Sequence, residues 1–255
     1  MLLRRFIEHV RTQNWVAIAL DLIVVVVGVF IAFQVERWYE QRRLESTESA
    51  HLVALVDDFT LIREDLEWNI ERQKRSTQAV LALLEERARD PIEISHDRFY
   101  SLLDEALLGV AFSTVSLTYD VLVATGELDA LRDESLKSAL ADFFGEAKQG
   151  VDWGNKRERR LQLFDPYVIR NLDQAALMRK SHPETPDTNV MVSTHQPRSF
   201  ENAIKTTEFE AVIIAVWHAS YEATNGSEYL LERVTNIEKL LKENIERASQ
   251  SQKTE

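Results

Sequence analysis

The chain has 255 residues and a formal net charge of −12, with 45% hydrophobic residues and no cysteine. Residues 1–45 hold six Lys/Arg and five acids, a balance of +1, so the remainder carries −13. A body that acidic repels nucleic acid and anionic surfaces, and the missing thiols exclude disulfides, cysteine metal sites and a thiol nucleophile.

Only seven glycines and five prolines occur, and three of the prolines fall between Pro183 and Pro197. So few breakers in so long a chain predict long helices. Residues 1–14, MLLRRFIEHVRTQN, place Leu3, Phe6, Ile7 and Val10 at helical spacing among Arg4, Arg5 and Arg11. That pattern predicts an amphipathic segment lying on a membrane surface.

From Trp15 to Val35 only Asp21 and Gln34 are strongly polar. About 21 apolar residues make roughly 30 Å of helix, the thickness of a bilayer core. We therefore expect a transmembrane helix over residues 15–36. A buried core helix is a poor alternative because the run is long and uniformly apolar. A cleaved signal peptide is equally poor, since the run exceeds the usual apolar region and no small-residue cleavage site follows. Trp15, Trp38 and Tyr39 sit at the two ends, where amphipathic aromatics prefer the headgroup layer.

At 100° per residue Asp21, Val25, Gly28 and Ala32 fall on one stripe. Gly28-x-x-x-Ala32 is a small-xxx-small pattern that lets helix backbones approach closely. A carboxylate facing lipid is costly, so Asp21 meets another copy of the span, sits protonated, or reaches the near interface. The first choice predicts a homo-oligomer. Three Lys/Arg precede the span and three follow it closely, so the orientation rests on the free amino terminus and the acids among residues 36–48. These favour a cytoplasmic N-terminus and an external body.

The apolar pattern continues through Leu52, Leu55, Val56, Phe59, Ile62, Leu66, Ile70, Thr77, Val80, Leu81, Leu84 and Ala88. No Gly or Pro lies between Val29 and Asp90, which predicts one helix from the span to about Arg89, ended by Asp90-Pro91. Ser95 is a candidate N-cap for a helix over 96–108. A shorter helix is expected over 117–125 with Gly126 as its C-terminal stop. Another begins near Asp133–Ser135 with Leu136, Leu140, Phe143, Ala147 and Val151 on one face. Asp165-Pro166 reads as an N-cap followed by the first helical residue. Residues 181–198 form a long loop. Ser199 starts the last region, whose apolar face carries Phe209, Val212, Val216, Ala219, Ala223, Leu230, Val234, Ile237, Leu241 and Ile245. The expected fold is all-α: a single N-terminal transmembrane helix continuing into an antiparallel helical bundle over 37–248, with a frayed polar tail over 249–255.

The segment DLIVVVVGVFIAFQVERW at 21–38 and the segment TYDVLVATGELDALRDESLKSALADFF at 118–144 together resemble a family of uncharacterised single-span bacterial membrane proteins. The second segment carries that family's Tyr-x-x-Leu-x-x-x-Gly-x-Leu-x-x-Leu pattern. Asp21 stands where family members carry Glu. The resemblance implies a bacterial membrane location and brings no activity with it; with the charge bias around the span, the expected placement is the inner membrane with a periplasmic body.

Chemistry is thinly signalled. The six histidines form no His-x-x-x-His or Glu-x-x-His pair, the spacing that helix-borne zinc or di-iron sites need. No Gly-x-Ser-x-Gly, phosphate-binding loop or dinucleotide fingerprint occurs. Asp57-Asp58 and Glu64-Asp65 read as solvated helix faces. Lys156, Arg157, Arg159 and Arg160 form the one basic cluster and suit either an anion or ion pairs with an acidic helix. No cofactor, metal or catalytic residue is expected. The expected role is a membrane-anchored scaffold that recruits a protein partner, with a helical-bundle ligand sensor as the alternative.

Overall fold

A computed structural model describes residues 15–108, 114–162, 164–184 and 199–254, leaving aside the side chains of 15–21, 149–161, 165 and 251–254. The amphipathic segment expected over 1–14 lies outside the described residues. Helix α1 spans Trp15–Ala88, as the lack of breakers predicts, and ends just before a cis Asp90–Pro91 peptide. It is followed by α2 (His96–Leu107), α3 (Leu117–Thr125), a 3₁₀ turn (Glu127–Ala130), α4 (Glu134–Gln162), α5 (Asp165–Asn171), α6 (Gln174–Ser181), α7 (Phe200–Ile204) and α8 (Thr207–Thr254). The described residues are helices and connections, with no strand.

Local capping chemistry sets most boundaries. Ser95 accepts from the Arg98 N–H and opens α2, and Ser116 accepts from the Tyr119 N–H and opens α3. Gly126 closes α3 with φ of 75°, a left-handed conformation that glycine reaches without a Cβ penalty. Asp133 Oδ1 accepts from the N–H groups of Ser135 and Leu136 and so starts α4.

The structure differs from the sequence reading in four places. Helix α5 begins one residue early. Its N-cap is Phe164, whose carbonyl accepts from Tyr167 and Val168 while its ring is buried. Asp165 is then helical rather than the cap. Helix α6 has no counterpart in the sequence reading; Asp173 caps it by accepting from the N–H groups of Ala175 and Ala176. The last region is two helices, with Thr206 Oγ1 accepting from the Phe209 N–H at the start of α8. Helix α8 runs past Ala248 to Thr254, through the stretch expected to fray.

The chain divides into two compact units, residues 1–51 and 52–255. In the first, every described side chain from Leu22 to Arg43 is exposed. The second is a packed body with two apolar clusters. One joins Leu52, Leu55, Phe59, Ile62 and Leu66 of α1 to Leu136, Leu140 and Phe143 of α4 and Leu230, Val234, Ile237 and Leu241 of α8. The other joins Val80 and Leu83 of α1 to Phe99 and Leu103 of α2, Tyr167 of α5, and Phe209, Ile213 and Val216 of α8.

Cross-helix pairs tie α1 to α8 within the body. Arg63 meets Glu238 at 3.0 Å, Lys74 meets Glu228 at 2.7 Å and Arg87 meets Glu210 at 2.7 Å. As the α1 number rises the α8 number falls.

The buried line on α1 departs from the apolar residues read off the sequence. Leu81 on that list is 48% exposed, whereas Leu83 is fully buried. Between the clusters the line passes through polar Asn69, Gln73 and Ser76, all at most 1% exposed. The matching stretch of α8 carries Ser220, Thr224 and Ser227, again buried. Polar residues interrupt the apolar count without leaving the buried face.

Candidate functional site

The most distinctive surface is the apolar length of α1. Val25 is 61% exposed and Ala32 is likewise exposed, and a Cβ added at Gly28 would meet nothing within 4 Å. None of the apolar residues between Leu22 and Val35 is buried, and this is the one described helix long and apolar enough to cross a membrane. Water-soluble monomers rarely leave so continuous an apolar surface uncovered. The structure brings Val25, Gly28 and Ala32 onto one open helical stripe. Asp21 lies on the same helix, with its side chain outside the described set.

The flanking aromatics sit beyond the apolar stretch. Tyr39 is 70% exposed, and the Arg42 guanidinium lies over the Trp38 ring at 4.9 Å. Such a pair combines an apolar plate with a fixed positive charge, a combination suited to a headgroup layer. The side chain of Trp15 lies outside the described set. So do the side chains of Lys156, Arg157, Arg159 and Arg160, whose backbone belongs to α4.

The carboxylates singled out in the sequence divide. Asp57 is exposed, but Asp58 accepts from the Ser116 hydroxyl at 2.6 Å and the Thr118 N–H at 3.0 Å. Burial pushes the Asp58 carboxyl up, but these bonds outweigh it and hold it below its ordinary value. Asp58 is thus a clamp that fastens the start of α3 to α1. Asp133 resembles it. Burial raises its carboxyl, while Asn244, the Leu136 N–H, Arg247 and the Ser135 N–H together bring it below the ordinary value.

The 118–144 segment serves the same packing. Tyr119 stacks on Phe144 with centroids 4.1 Å apart, Leu122 and Leu131 are buried in the cluster near Phe143, and Gly126 makes the turn between them. Beside that stack lies a half-open groove of about 490 Å³, bordered by Val115, Val123, Gly145 and Lys148. No group of three or more His, Asp or Glu side chains among the described residues is arranged to hold a metal ion. His96 packs on Tyr100 and Phe200, a ring contact rather than a ligand set.

Comparison with protein-family models, with curated proteins and with solved structures finds no match to this chain.

Proposed function

We propose that the chain is a single-span membrane protein of the bacterial inner membrane whose α-helical body is a self-associating scaffold for a protein partner. The carrying observation is the contrast along α1. Residues 22–35 expose every side chain, including Phe30 at 62%, whereas Leu55, Phe59 and Leu66 of the same helix are fully buried. Lipid is the solvent that makes the first stretch favourable. Residues 15–36 cross the bilayer, with the N-terminus cytoplasmic and the acidic body periplasmic.

The body is an antiparallel bundle around α1, α4 and α8. The opposite order of the Arg63–Glu238, Lys74–Glu228 and Arg87–Glu210 pairs along the two helices supports that arrangement. Copies associate through Asp21, Val25, Gly28 and Ala32, because a lone span leaves that stripe against lipid. Mild-detergent purification followed by mass measurement tests this reading. It succeeds if a defined multimer and a stoichiometric protein partner are recovered, and fails if the protein is a monomer without one.

The sensor reading has one specific support, that α1 carries both the apolar stretch and a face of the body core. A ligand acting on the body would then bear on the same helix that crosses the bilayer. Titration calorimetry against small periplasmic solutes separates the two readings.

A further inference from the structure

Midway along the body, α1 and α8 each carry a stripe of buried polar residues, and the two stripes meet at Ser76 and Ser220. Asn69, Gln73 and Ser76 follow one another at intervals of four and three residues, and so do Ser220, Thr224 and Ser227. Both spacings keep the three side chains on one helical stripe. The Ser76 and Ser220 hydroxyls meet at 3.1 Å, and Ser76 donates to the Ala106 carbonyl at 2.7 Å. Thr224 donates back to the Ser220 carbonyl within its own helix at 2.8 Å. One end of the layer is therefore hydrogen-bonded.

The other end is not. Both polar atoms of the Asn69 carboxamide, the Gln73 Oε1 and the Ser227 Oγ are buried without a hydrogen-bond partner. Asn69 is 0% exposed, and Gln73 and Ser227 are each 1% exposed. A buried group in that condition has lost its water and gained nothing in exchange. Separation of α1 and α8 at this level would return water to all four atoms. The apolar clusters on either side have no such incentive, since opening them only exposes Leu, Val and Phe side chains.

We propose that this polar layer is a built-in opening point, at which α1 and α8 part and take up water while the flanking apolar clusters stay closed. The body then has a packed and a hydrated arrangement that differ in the middle of its two longest helices. Any binding event that favours one arrangement would shift the balance between them. This inference concerns residues 52–255 alone and stands whether or not the chain spans a membrane.

The test uses the absence of native cysteine. The full chain in mild detergent carries a single cysteine as Ser227→Cys, Val80→Cys or Val234→Cys, three positions at most 1% exposed. Alkylation by iodoacetamide is timed without denaturant. The Ser227→Cys protein should react at least tenfold faster than either control, each of which lies in one apolar cluster. Adding Asn69→Leu and Gln73→Leu to Ser227→Cys removes the unbonded carboxamides and should slow its reaction at least tenfold. Equal rates at all three positions would mean that only global unfolding exposes the layer, and would overturn the proposal. That first comparison leaves the carboxamides in place, so it decides the matter even if the leucine variant does not fold. A fast Ser227→Cys reaction that the leucine changes leave untouched would also overturn it.

Discussion

Asp58 offers the sharpest quantitative handle on the body. Its carboxylate binds the Ser116 hydroxyl at 2.6 Å and the Thr118 N–H at 3.0 Å, and Ser116 is only 1% exposed. Hydrogen bonds to a charged group each contribute about 1.5–3 kcal/mol. Asp58 is half-buried, so the low end applies, and Asp58→Ala should cost about 3 kcal/mol in total. With a urea dependence of about 2 kcal/mol per molar, the unfolding midpoint should fall by about 1–2 M. Circular dichroism of the detergent-solubilised chain against urea reads this directly. The double-mutant cycle with Ser116→Ala should return a coupling of about 1.5–3 kcal/mol. The folded carboxyl is held below its ordinary value of 3.8, so its stabilisation is complete at neutral pH. It is lost as the pH falls through the lowered folded value. The coupling should therefore vanish in strong acid. A coupling within about 0.5 kcal/mol of zero at neutral pH would refute the clamp.

Other outcomes follow from the same contacts. Tyr100→Phe removes the hydroxyl that accepts from the Asp173 N–H at 2.7 Å and should cost about 1–2 kcal/mol in urea unfolding. Gly126→Ala forces a side chain onto a residue with φ of 75° and should cost about 1–2 kcal/mol, seen as a lower thermal midpoint. On the apolar stretch of α1, Gly28→Leu should weaken crosslinking between copies in native membranes more than Asp21→Leu does. A polar contact in such interfaces contributes only about 1 kcal/mol. Space around Gly28 within one chain is open, so the leucine should leave the isolated protein folded. A signal at Gly28→Leu equal to the parent's would make the span a simple anchor.

The parts of the fold that local chemistry dictates were legible in the sequence. Ser95, Gly126 and the Asp90-Pro91 step mark their boundaries because caps and breakers act within a few residues. The long apolar stretch was equally plain, since a run from Trp15 to Val35 with two strongly polar residues needs no tertiary context. What escaped depends on distance along the chain. Asp58 reads as one of several surface acids until Ser116 folds onto it from 58 positions away. Asn69, Gln73 and Ser227 read as gaps in an apolar stripe, because periodicity counts side-chain type rather than burial. The buried face therefore runs through Leu83 instead of Leu81. Phe164 displaced Asp165 as the cap because core packing outweighs a modest capping preference.

The central claim is that residues 15–36 lie in a bilayer, and a cysteine scan tests it most directly. Single cysteines placed from residue 15 to residue 51 in the cysteine-free chain are exposed, in intact cells, to a membrane-impermeant maleimide. The account predicts no labelling from residue 22 to residue 35 and strong labelling at Glu45→Cys from the outside. Uniform labelling through Val25, Gly28 and Ala32 would contradict it, because those positions would then face water.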